Sequence, residues 1–117
     1  MFSREDVALA SSGQAVFELM SNVVYTSGGD VSVPINLHLG SSNVSDTTVY
    51  SGTTDLVVDT TNEKEILDFA VTTFHNHSFK GALILEKGDT FAIIGKSLNI
   101  GDVLHAVMFG YVVTDPI

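Results

Sequence analysis

Cysteine and tryptophan are both absent from the 117-residue chain, and the first absence removes whole classes of chemistry. Without thiols there is no disulfide framework, no cysteine-ligated zinc or iron–sulfur centre and no thiol nucleophile, while the redox compartment is left open. Cations are scarce: Arg4, Lys64, Lys80, Lys87 and Lys96 stand against 14 Asp+Glu, a formal net charge of −9, and no two of them are adjacent. So acidic a chain repels a phosphate backbone and has no basic stripe to displace its counterions, which argues against nucleic acid as a partner. Long apolar runs are missing too, the longest spanning about eight or nine residues where a membrane helix needs roughly 18. The opening Met-Phe-Ser-Arg-Glu-Asp has acids in place of the basic region and apolar core of a leader. A soluble, unprocessed chain with no membrane partner is therefore expected.

What is present points to sheet. The length fits one domain that buries roughly two-thirds of its unfolded surface, enough to hold together without a covalent staple. Charged residues make up only 16% of the chain and mean hydropathy is +0.30, where a soluble monomer carries about 25% charge. The polar share is filled by 12 Ser and 11 Thr beside 15 Val, and Val and Thr favour a pleated, half-buried surface. Two expectations follow: an all-β fold, and more apolar surface than one monomer needs to hide, hence an oligomer or docking face.

Along the chain, Ser3-Arg4-Glu5-Asp6 resembles a short helix start. Gln14 to Tyr25 fits a helix face almost as well as a strand, with its Val-Val-Tyr-Thr ending before Ser27-Gly28-Gly29-Asp30 favouring strand. Val31-Ser32-Val33-Pro34-Ile35-Asn36-Leu37-His38-Leu39 alternates without a slip and predicts a half-buried antiparallel strand, with Pro34 placing it at an edge. A polar loop follows to Thr48, then short strands at Val49-Tyr50 and Leu56-Val57-Val58. The charged window Asp59 to Glu65 reads as a turn, with a helical turn possible at Asn62 to Leu67, leading into a strand from Ile66 to Phe74. His75-Asn76-His77-Ser78 then breaks to a strand from Phe79 to Glu86. Two Gly-Asp pairs, Gly88-Asp89 and Gly101-Asp102, read as chain reversals before the apolar strands Phe91 to Gly95 and Val103 to Val113. Seven or eight strands with turn chemistry between them predict an antiparallel β-sandwich or barrel. Residues 1–27 are expected to form an N-terminal arm or first strand, and residues 28–117 the sandwich domain.

Catalytic motifs are weak. His75 and His77 share a face if extended, and with His105 and Glu86 a three-His-one-carboxylate metal site of cupin type can be drawn. The spacing fails it: Glu86 lies nine residues after His77, and the later Gly-x-x-His would need histidine where Leu104 stands. No Gly-x-Ser-x-Gly elbow and no phosphate loop is present. The acids at Asp55, Asp59 and in the loop Asn43 to Asp46 lack EF-hand spacing. Asn43-Val44-Ser45 and Asn76-His77-Ser78 match the glycosylation pattern and are read as chance. Asp68 reads as outward-facing. No enzyme, metal or cofactor is expected.

Phe69, Phe74, Phe79, Phe91 and Phe109 are the expected aromatic core. The closing strand Val103-Leu104-His105-Ala106-Val107-Met108-Phe109 is apolar on both faces, and such a strand must be covered on both. Val103, Leu104, Val107, Met108 and Phe109 are thus interface candidates, joined by Val16, Phe17 and Met20 of the first segment. Tyr50, between polar loops, is the candidate for stacking on a glycan.

Leu98-x-x-Gly101-Asp102-x-Leu104, followed by Gly110-Tyr111-Val112-Val113, is similar to the penultimate turn and closing strand of trimeric viral and tumour-necrosis-factor-like jelly rolls. With the small, acidic, cysteine-free, Thr/Val-rich composition, the chain resembles the decoration (cement) proteins of tailed-phage capsids. That resemblance covers residues 85–113. It implies a jelly-roll homotrimer, soluble in the host cytoplasm before assembly, that binds the major capsid protein at the virion surface and holds neighbouring coat subunits together. Residues 1–27 would be the arm that lies on the shell or exchanges with a neighbour. A receptor- or carbohydrate-binding module of a virion tail or fibre, and a cupin-like metal protein, are the alternatives.

Overall fold

The computed structural model describes residues 2–42, 47–52, 55–97, 99 and 101–112, with side chains from residue 7 to residue 110. The described residues form ten strands and no helix: β1 (Phe2–Ser11), β2 (Ala15–Ser21), β3 (Val24–Ser27), β4 (Asp30–Ser32), β5 (Val49–Ser51), β6 (Val57–Asp59), β7 (Lys64–Val71), β8 (Phe74–Ser78), β9 (Phe91–Ser97) and β10 (Leu104–Val112). All pairings are antiparallel. The chain divides into two compact units, one of residues 1–23 and 62–117, the other of residues 24–61.

In the larger unit the sheets run β10-β1-β8 and β7-β2-β9. β1 and β2 are consecutive and central to their respective sheets. The three strand pairs β1–β2, β7–β8 and β9–β10 each turn a corner between the sheets. These corners are stitched together by short polar bonds. Ser11 donates its amide to the Thr73 carbonyl (3.1 Å), Ser12 to the Val103 carbonyl (3.0 Å), and Val103 returns its amide to Ser12 Oγ (2.7 Å). Ser11 Oγ also bridges the amide and carbonyl of Gly13. A Cβ at Gly13 would stand 2.6 Å from both carboxylate oxygens of Asp102, and that carboxylate takes the Ser97 hydroxyl. Small residues at the bend are what let the three corners approach.

Alternation fills the core. Val7 and Leu9 on β1, Ala15 and Phe17 on β2 and Val71 on β7 form one buried cluster, with Phe69, Phe79, Ile93, Leu104 and Met108 packed against it. Members come from both sheets, so their apolar faces share a single core. Gly95 makes room at its middle, since a Cβ there would meet Leu104 Cδ1 at 2.9 Å and a Phe17 ring carbon at 3.1 Å.

In the smaller unit β3 pairs with β6 and β4 with β5. The Tyr25 ring, whose hydroxyl donates to the Gly28 carbonyl (3.0 Å), stacks on Tyr50 at 3.6 Å between centroids and 7° between planes. The pairs β1·β8, β2·β7, β3·β6 and β4·β5 are nested in sequence, as in one long hairpin; β9 and β10 then line the other sides of β2 and β1.

Several expectations are corrected. Residues 3–6 belong to a strand, not a helix start. Of the two forms expected for residues 1–27, arm or first strand, the structure has strand: β1 and β2 are each hydrogen-bonded to a strand on both sides. Asn22, at φ 61°, separates β2 from β3, so the Gln14 to Tyr25 segment is two strands. Residues 79–86 do not form the expected strand; the polar quartet His75–Ser78 does instead, as most of β8. Both Gly-Asp reversals hold. Gly88 and Gly101 have φ of 91° and 94°, and Asp89 and Asp102 donate their amides to the carbonyls of Glu86 (2.9 Å) and Asn99 (3.5 Å). The largest departure is Val31 to Leu39. Only Asp30–Ser32 is strand; beyond it Pro34 offers no amide, Asn36 Oδ1 accepts the His38 amide (2.9 Å) and the His38 carbonyl accepts the Ser41 amide (2.9 Å), which rounds the chain into turns.

Candidate functional site

The drawn metal site does not assemble. His75 and His77 pair with Leu9 and Val7 and point inward, where Phe69 lies against both rings at centroid distances of 4.3 and 5.1 Å and Phe79 meets His77 edge-on at 4.7 Å. His75 Nε2 is shut from solvent with no hydrogen-bond partner among the described residues. The imidazoles thus act as flat packing groups. His105 pairs with Ala10, whose side chain points to the opposite face from Leu9, so it cannot converge with His75 and His77. Glu86 sits in a turn, its amide held by Asp89 Oδ2 at 2.9 Å.

A different carboxylate group does gather. Glu18, Glu65 and Asp68 bring one oxygen each to within 4.8 Å of one another on the outer face of β7-β2-β9. Asp68 is outward-facing, as expected. Lys96 Nζ lies 3.1 Å from Glu18 Oε1 and offsets one charge. Hydrogen bonding and repulsion from Asp68, with lesser contributions from burial, Glu18 and Glu63, raise the Glu65 pKa above its ordinary value. Asp59 moves the other way, because the Thr61 hydroxyl and amide both donate to its carboxylate. Asn76 of the second glycosylation match is exposed on β8. The first match and the Asn43 to Asp46 acids lie outside the described residues.

Surface hydrophobicity is the more pronounced feature. On the outer face of β10-β1-β8, Val107 (48% exposed) and Phe109 (46%) of β10 and Phe74 (62%) of β8 stand in solvent, with Ala8 and Ala10 half-buried between the two strands. Phe74 and Phe109, expected in the aromatic core, are therefore at the surface, whereas Phe69, Phe79 and Phe91 are at least half-buried. Among the interface candidates Val16, Val103, Val107 and Phe109 are exposed. Phe17 and Met20 are buried, and Leu104 and Met108 pack inward on the core cluster; these four fill the chain's own interior and have little surface to give a neighbour. Tyr50 keeps one ring face against Tyr25.

The second apolar surface is β4 and the segment after it. Val31, Val33, Ile35, Leu37 and Leu39 are 63, 59, 81, 70 and 83% exposed. Alternation made this run look half-buried; Pro34 and Asn36 were the signals that a single chain would not build it into a sheet.

Comparison with protein families, curated proteins and solved structures finds no match.

Proposed function

We propose that this chain is a non-catalytic assembly protein of capsid-decoration type: a homotrimer that binds the outer surface of a shell built from a major capsid protein and stabilises it. The observation that carries the reading is the amount of large apolar surface left in water. Phe74, Val107 and Phe109 lie on one sheet face and five alternating residues along Val31 to Leu39, more than scattered exposure accounts for. The Glu18, Glu65 and Asp68 carboxylates lie on the outer face of the other sheet, β7-β2-β9. The nested pairing β1·β8, β2·β7, β3·β6 and β4·β5 supports a jelly-roll sandwich, the strand order expected when one long antiparallel hairpin rolls up. A binder that favours the assembled shell stabilises it by mass action, and many modest contacts in a symmetric array add avidity.

The test is quantitative mass spectrometry of purified virus particles from the source of the sequence. A fixed, near-stoichiometric ratio of this chain to the coat protein is expected. Its absence from particles whose other structural proteins are all recovered would overturn the reading.

A further inference from the structure

The strip from Val31 to Leu39 is patterned as one continuous strand, of which a single copy builds only Val31 and Ser32, paired with β5. Its apolar residues recur at every second position, a period that puts side chains on one face only when the backbone is extended. Here the two turn hydrogen bonds at Asn36, His38 and Ser41 curl the segment. Its five apolar residues are each more than half exposed.

The same chain holds one sheet edge suited to it. β10 pairs with β1 on one side, and among the described residues no strand pairs with its other side. Native edges are guarded by charge, proline or brevity. β10, nine residues long, has no Asp, Glu, Lys, Arg or Pro, and its Val107 and Phe109 are exposed. The other edges fit less well: β7 carries Lys64, Glu65 and Asp68, β9 carries Lys96, and β8 has five residues. The strip, also nine residues, is equally free of those charges. In copies that each carry −9, strip and edge are where two chains can meet without opposing acids. Pro34 is compatible, because a strand added at an edge is hydrogen-bonded on one side only.

We infer that the Val31–Leu39 strip of one copy adds as an extra strand along the β10 edge of the next. Strip and edge are different surfaces, so the contact is head-to-tail, which closes into a ring where the rotation between copies permits it; closure at three copies rests on the trimer proposed above but not on its capsid partner. The added strand pairs with the open edge of β10, brings the strip's apolar residues into line with that sheet, and lies apart from the sheet that carries Glu18, Glu65 and Asp68.

Two variants test it by size-exclusion chromatography with light scattering at micromolar concentration. Ile35→Asp with Leu37→Asp spoils the strip; Val107→Lys with Phe109→Lys spoils the edge. All four positions are exposed. The parent is expected at three times the chain mass and each variant at one. An equimolar mixture is expected as a 1:1 heterodimer, since it holds one intact strip and one intact edge. A monomeric parent, a variant that keeps the parental mass, or a mixture that stays monomeric overturns the inference. Should either variant fail to fold, hydrogen exchange on the parent decides. Amides of residues 33–39 must be protected in the oligomer and lose protection on dilution to monomer; unprotected amides in the oligomer overturn the pairing. No readout involves a shell, so a chain missing from virus particles would sink the capsid reading alone, and a monomer bound to particles would sink this inference and the trimer while leaving the capsid partner standing.

Discussion

Phe17 shows how much of the fold hangs on one side chain. Its ring is buried on the central strand of its sheet, pairs across to Phe69 and Gly95, and fills the space that Gly95 leaves open. Phe17→Ala should cost about 3–5 kcal/mol through lost burial and an unfilled cavity, visible as a large fall in the thermal midpoint; a change near zero would mean the core is not organised around it. At the surface the sign of a charge effect is set by neighbours. The folded-state pKa of Glu65 is raised, chiefly by Asp68, above an ordinary 4.5. Folding therefore takes up a proton there, and stability is lost as pH rises through the raised value. Glu65→Gln should melt higher than the parent at pH 7, with the gap shrinking as pH falls through the carboxylate range. A gap independent of pH would remove Asp68 as the cause. Asp59 has the opposite sign, its Thr61 bonds stabilising above the ordinary carboxylate value and fading on acidification.

At the scale of elements, the strands that were legible are those whose pattern and burial agree. β9 and β10 emerge from apolar runs after Gly-Asp reversals, and β7 from Leu67, Phe69 and Val71 on one face. β8 was not legible, because His75, Asn76 and His77 look like a loop to any rule that counts polarity, yet an imidazole can lie flat on Phe69. The strip at Val31 to Leu39 failed for the converse reason: alternation reports which side chains would share a face, not whether anything is there to cover it. Ser3 to Asp6 looked like a helix start and the resemblance implied an arm, but residues 2–11 form a strand paired with β10 and, from Asp6 to Ala10, with β8 as well. Deleting residues 1–27 removes the central strand of each sheet in the larger unit. The truncated chain should lose cooperative unfolding in a thermal melt; a folded truncation would restore the arm.

For the whole molecule, hydropathy of +0.30 with 16% charged residues becomes a statement about place. The surplus sits on the outer face of β10-β1-β8 and along Val31 to Leu39, while the buried core is small and built by β1, β2 and β7 with support from their neighbours. Of the candidate site, only the exposed part of the closing strand was legible as a contact surface: Val103, Val107 and Phe109 were named from their pattern, whereas Phe74 and the strip were assigned to the interior. The central claim is that this surface exists for association of copies. Sedimentation velocity of the intact 12.5 kDa chain across the micromolar range tests it most directly. A closed species of three chains is the result expected, and a monomer at every concentration would contradict it.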